Sequence, residues 1–173
     1  NIGLSLSGMG NIEVYTTPIN LSQDQNSTLS YAFENEDGCL SDQFSLNVLI
    51  NVLPEFTSIN DFVLCSTEEF EALNFQLLED LEGVFWDWTS STEIGTEDSG
   101  DVNYIDEFIS LNESQTQITS NIIIESSRMG CAYSDSFVIV VNPLPEIYNV
   151  SDFEFCEGDV FNDFFFDKLG RVH

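Results

Sequence analysis

The chain has 173 residues, 42% of them hydrophobic and 15 of them Phe, which is ample for a packed core and excludes disorder by composition. Only 3 Lys plus Arg stand against 31 Asp plus Glu, a formal net charge of -28. A surface so charged repels nucleic-acid phosphates and anionic lipid, and no run of 18 apolar residues is present to insert into a bilayer, so neither nucleic acid nor membrane is an expected partner.

Residues 1–54 read as the later part of one β-sandwich repeat. Ile2-Gly3, Ser7-Gly8 and Asn11 recur 92 positions on as Ile94-Gly95, Ser99-Gly100 and Asn103. Leu29, Tyr31 and Phe33 alternate with polar residues, and beyond the turn at Glu36-Asp37-Gly38 so do Phe44, Leu46, Val48, Ile50 and Val52. Period-two alternation on both sides of a Gly turn predicts a hairpin of half-buried strands. Residues 55–145 read as a complete repeat. Asp61 to Cys65 opens its first strand, the apolar positions from Phe70 to Leu81 supply the second, and Val84, Trp86 and Trp88 share one face of a central strand carrying the core tryptophan. Short strands around Tyr104 and Phe108 lie among polar loops. Ile118 to Ile124 and Phe137 to Val141, with Phe137, Ile139 and Val141 inward, close the repeat as a hairpin around Met129-Gly130-Cys131. No helix of length is expected, although residues 78–83 could make one turn. Asn142-Pro143-Leu144-Pro145 ends the last strand and stiffens the connector, because each proline fixes φ and withholds a donor. Residues 146–173 begin a third repeat. The chain opens on Asn1 with no Met or charged leader and reads as a window of a longer protein.

The segments from Gly38 to Cys65 and from Gly130 to Cys156 share an order: Gly-Cys, Ser-Asp, a β-rich run, Leu-Pro, then Asp-Phe-x-x-Cys. Cys131 lies 92 positions after Cys39, Pro145 lies 91 after Pro54, and Cys156 lies 91 after Cys65. A period near 90 fits one all-β sandwich per repeat better than a solenoid unit. Four cysteines locked to that period, with no histidine nearby, read as a disulfide framework in an oxidising compartment. With Cys65 at the start of the first strand and Cys131 at the turn before the last, the two fall at one end of the sandwich. Cys39 and Cys65, by contrast, are separated by a closing strand of the order of 30 Å, against the roughly 7 Å between Cα atoms that a bridge tolerates. The expected bridge is Cys65 with Cys131, leaving Cys39 and Cys156 to pair outside the window; four buried free thiols are the alternative.

The run of Cys65, Trp86 and Trp88, Ile94-Gly95, Ser99-Gly100, Asn103, Gly130-Cys131, a Val/Ile-rich strand and Asn142-Pro143-Leu144-Pro145 resembles the PKD-like, immunoglobulin-like repeats of very large Bacteroidota surface proteins. Those proteins are exported by the type IX secretion system and include gliding-motility adhesins. The resemblance spans essentially the whole chain and implies tandem immunoglobulin-like β-sandwiches at the cell surface. The chain departs from the pattern at Val52, where the second copy has Pro143, and at Ser66-Thr67, where Cys156 is followed by Glu157-Gly158.

Hydrolytic triads need a histidine base, and the only histidine is His173, so no enzyme activity is expected. Acidic pairs such as Glu68-Glu69 and Glu79-Asp80 are ordinary on so acidic a chain. Calcium is the one cofactor candidate: Glu93, Glu97, Asp98, Asp101 and Asp106 could gather carboxylates into a weak site at one edge, against the alternative of a solvated acidic loop. Asn20, Asn26, Asn112 and Asn149 begin Asn-x-Ser/Thr sequons, which imply surface loops. The expected role is a non-catalytic extracellular spacer or adhesive surface. Its partners would be neighbouring repeats of the same chain, with surface polysaccharide or another cell-surface protein as candidate ligands. The runner-up is a carbohydrate- or ligand-binding accessory module of a secreted multidomain enzyme.

Overall fold

The computed structural model describes residue 10, residues 16–145 and residues 154–160. Every regular element in them is a β-strand. β1 (Gln25–Tyr31) and β2 (Phe44–Ile50) form the expected antiparallel hairpin, with Tyr31 opposite Phe44 and Gln25 opposite Ile50. Gly38, at φ 80, closes its turn, and the Asn35 side chain accepts the backbone N–H groups of Asp37 and Cys39. That is how an Asn and a Gly spaced three apart make a tight reversal.

The rest of the described strands build one body. β3 (Phe62–Cys65), β6 (Phe85–Ser90), β7 (Ser99–Gly100), β10 (Ile118–Arg128) and β11 (Cys131–Asn142) form a sheet in the order β3-β11-β10-β6-β7. The long β10–β11 pair is antiparallel and turns at Met129-Gly130, both at positive φ, as a two-residue hairpin turn requires. β3 runs parallel to β11 and covers only its last four residues, Ile139 to Asn142. Two shorter pairs, β4 (Glu69–Phe70) with β9 (Phe108–Ile109) and β5 (Leu73–Asn74) with β8 (Tyr104–Ile105), supply the facing side. One core lies between: Leu64, Trp88, Ile122, Ile124, Phe137, Ile139 and Val141 from the large sheet, against Phe70, Phe75, Ile105 and Phe108. The arrangement is all-β and consistent with a β-sandwich.

The second strand and its partner are broken for a reason readable in the spacing. Phe70 and Phe75 are both buried though five positions apart, and Ile105 and Phe108 though three apart. Odd spacings cannot share one face of an unbroken strand. Each strand therefore interrupts, at Glu71-Ala72 and at Asp106-Glu107, and the interruptions lie opposite one another. Residues 78–83 form no helical turn.

The expected bridge between Cys65 and Cys131 is overturned. All four cysteines are free thiols. Cys65 pairs in register with Asn142 at the end of the 12-residue β11, whereas Cys131 begins that strand, so the two are separated by about 35 Å of strand. The first strand of the body, β3, starts at Phe62, one residue from the expected Asp61, but Cys65 is its last residue and not its first. Glu55 to Thr57 already lie in ladder contact with the facing side, where Thr57 donates to Gln76 O and Leu78 to Glu55 O. The chain then crosses to the edge of β11, and Cys65 closes that path at the far end of the body.

The turn after Cys65 recurs after Cys156. Cys65 N–H donates to the Glu68 carboxylate and Glu68 N–H to Cys65 O; Cys156 N–H donates to the Asp159 carboxylate and Asp159 N–H to Cys156 O. The third residue is left-handed in both, Thr67 at φ 71 and Gly158 at φ 95. A β-branched residue is strained there by about 1–2 kcal/mol, of which glycine's extra chain entropy returns part. Thr67→Gly is therefore expected to stabilise the body by roughly 0.5–1 kcal/mol in chemical denaturation, while Gly158→Thr in the matching turn should not.

Candidate functional site

A polar constellation joins distant parts of the chain where residues 24 and 51–54 meet the β10–β11 turn. Among the described residues Arg128 is the only Lys or Arg. It ends β10, and its guanidinium makes a two-pronged pair with Asp24, Nη1 to Oδ1 and Nη2 to Oδ2, each at 2.9 Å, while its Nε donates to Glu82 O at 2.9 Å. Such a planar fork is worth more geometrically than a point charge, because it fixes orientation as well as distance. The same Asp24 carboxylate accepts Val52 N–H at 2.8 Å, Asn51 Nδ2 donates to Met129 O at 3.3 Å, and the buried Ser126 hydroxyl donates to Pro54 O. Val52 and Pro54 are buried. Valine at the place where the later copy has Pro143 therefore keeps a backbone donor, which this junction uses.

The Arg128 hydrogen bonds, and after them the Val52 N–H, hold the Asp24 carboxyl below its ordinary value of 3.8. A carboxylate depressed in the folded protein contributes stability that is present above its unfolded value and lost as pH falls through the folded one. The junction should accordingly loosen only below about pH 4. An NMR titration of Asp24 is expected to show a depressed midpoint that Arg128→Gln moves back toward 3.8; an unmoved midpoint would show that the pair does not form in solution.

The opposite end of the body is a hydrogen-bonded platform. Ser110 Oγ donates to Cys65 O and also lies 2.9 Å from Glu68 O, Thr67 N–H donates to Ser110 O, and Asn112 N–H donates to Ser66 Oγ. The Asn112 side chain donates to Thr116 O and Val141 O and accepts Ser114 N–H. Asn112 is thus buried and committed to the interior, which corrects its reading as a surface sequon. Asn20 and Asn26 are exposed, and Asn149 lies outside the described residues. Cys65 itself is exposed on this platform, and Cys131 is half-buried at the other end.

The five proposed calcium ligands do not converge. Glu93, Glu97, Asp98, Asp101 and Asp106 are all exposed, and no three His, Cys, Asp or Glu residues among those described are grouped to hold a metal ion. Trp88 is buried, and Trp86 is half-buried with its ring 5.4 Å from Phe56 and 5.8 Å from Phe75, so both pack on the core as the strand pattern implied. His173 lies outside the described residues. Sequence reasoning singled out Asn142-Pro143-Leu144-Pro145 as the stiff connector but missed Arg128 and Asp24. The available signal was Arg128 itself, one of three cations in the chain and set beside a repeat-locked Gly-Cys turn. No family model matches the chain, and no curated protein matches it.

Proposed function

We propose that this chain is a non-catalytic spacer segment of a large extracellular protein, a run of tandem immunoglobulin-like sandwiches acting as stalk or adhesive surface. The observation that carries the reading is the junction: residues before and after one hairpin dock on the closing turn of the next body through the forked Asp24–Arg128 ion pair and the hydrogen bonds from Asn51 Nδ2 to Met129 O and from the Ser126 hydroxyl to Pro54 O. A module built to be stacked needs such a contact at its entry end. With the bridge inside the repeat gone, extracellular placement rests on the ninety-residue period, the acidity and the resemblance to Bacteroidota surface repeats. The buried fate of Trp88 weighs against the accessory sugar-binding module.

The test is surface labelling of intact producing cells with an antibody raised to the 173-residue chain, paired with attachment assays in the presence of its Fab fragment. Labelling without lysis and reduced attachment are expected. Labelling that appears only after lysis would overturn the extracellular reading, and full labelling with unchanged attachment would reduce the role to a spacer.

A further inference from the structure

Cys65 and Cys131 lie at opposite ends of the body, and the junction places the exit end of the preceding hairpin against the end that carries Cys131. In the body, β3, β11 and β10 lie side by side, so Cys65, Asn142 and the start of β10 form a row across the exit end. In the preceding repeat the matching row is the counterpart of Cys65, then Asn51, then Asp24 before β1. Two places in that row can be located against the next repeat: Asp24 meets Arg128 at the end of β10, and Asn51 meets Met129 in the turn. Each step along the row moves one place from β10 toward β11. The third place therefore falls beyond Met129, over Gly130 and the first residue of β11, Cys131. The edge of β11 is open there, because β3 covers only residues 139–142.

We propose that disulfides staple successive repeats to one another: Cys131 bonds the Asp-Phe-x-x-Cys cysteine of the repeat before it, and Cys65 bonds the Gly-Cys cysteine of the repeat after it. Each partner then lies in the adjoining repeat, beyond these 173 residues, in keeping with four cysteines that are free thiols here. Cys65 is also held ready, exposed at the tip of a turn pinned by Ser110 and Glu68, and the Cys156 turn has the same form. The bond forms by thiol–disulfide exchange. One cysteine thiolate attacks the mixed disulfide that the other has made with a disulfide oxidant such as oxidised glutathione; the S–S bond between repeats replaces it, the two halves of the oxidant leave as thiolates, and the two cysteine protons pass through solvent to them, giving two thiols.

The inference rests on the repeat reading of the chain but not on adhesion. Asn1 corresponds to Glu93 by the repeat, so placing a copy of residues 55–92 ahead of Asn1 completes the first repeat while retaining the whole chain and its native junction. In a glutathione buffer, non-reducing peptide mapping of this extended chain is expected to join the added cysteine to Cys131. The accompanying gel shift should be lost in Cys131→Ser and kept in Cys65→Ser. An added cysteine left alkylatable, or joined to Cys39 or Cys65, overturns the staple. If Asp24 still titrates low in that chain, the junction is intact and the staple alone falls; if it does not, the junction itself has not formed and the proposed stacking falls with it. The unextended chain gives an independent check. Offered the peptide Asn60–Glu68 as its glutathione mixed disulfide, it should capture the peptide at half-buried Cys131 ahead of the three exposed cysteines, and capture in order of exposure overturns the proposal.

Discussion

Phe137→Ala should cost about 3–5 kcal/mol, the range for removing a buried aromatic side chain and leaving part of its volume empty. Phe137 is 2% exposed on β11, in the middle of the large sheet. Its ring meets Phe62 edge-on at 5.8 Å, Phe62 meets Phe70 at 5.0 Å, and Phe70 stacks on Phe108 at 4.9 Å. These rings bridge from one layer to the other, so the cavity would open where the layers are joined. Phe85 is the internal control. It occupies the outward face of β6, 72% exposed, and Phe85→Ala should stay within about 0.5 kcal/mol of the parent. Urea midpoints at unchanged slope measure both; equal losses would mean that the inward face of the large sheet has been misassigned.

Gly95→Ala should be comparably damaging, by roughly 2–6 kcal/mol, through the backbone rather than the core. Gly95 has φ 103, and a Cβ there would lie 2.1 Å from the carbonyl oxygen of Ile109. An L side chain at such φ costs about 1–3 kcal/mol by itself, and forcing a packed neighbour aside costs a similar amount again. The neighbour cannot move freely, since Ile94 is fully buried and its carbonyl accepts Leu111 N–H at 2.8 Å. Gly100 carries a related constraint: a Cβ there would stand 2.5 Å from Nε1 of the Trp88 indole, so Gly100→Ala should also destabilise, though a side chain yields more readily than backbone. A Gly95→Ala protein with an unchanged urea midpoint would show that the Ile94–Leu111 contact is not held in solution.

Those two glycines show what the sequence could express. Ile94-Gly95 and Ser99-Gly100 stood out because they recur with the period, and their reason is now physical: one lets a carbonyl approach, the other lets a tryptophan lie flat. The alternation in β6, β10 and β11 was equally legible, since an amphipathic strand writes its inward face at every second position; in β1 and β2 the pairing was legible but the half-burial was not, because Tyr31, Phe44 and Leu46 are exposed. The interrupted strands were not legible, because Phe70 and Phe75 read as noise in a two-residue period until the facing break at Asp106-Glu107 is seen. The cysteine pairing failed on one local point: Cys65 closes β3 and does not open it, and because β3 runs parallel to the last residues of β11, Cys65 sits beside Asn142 at the far end of the body from Cys131. The gathered calcium ligands failed because proximity in sequence does not make exposed carboxylates converge.

The parallel run of β3 beside β11 sets how the body would respond to tension. A pull between neighbouring modules enters ahead of β3 and leaves beyond β11, so it slides the two strands past each other and loads the bonds between them together instead of peeling them one by one. Mechanical resistance of this kind is governed by the unfolding rate and not by equilibrium stability. A tether built from such units would hold its length under drag until that short four-residue clamp gave way.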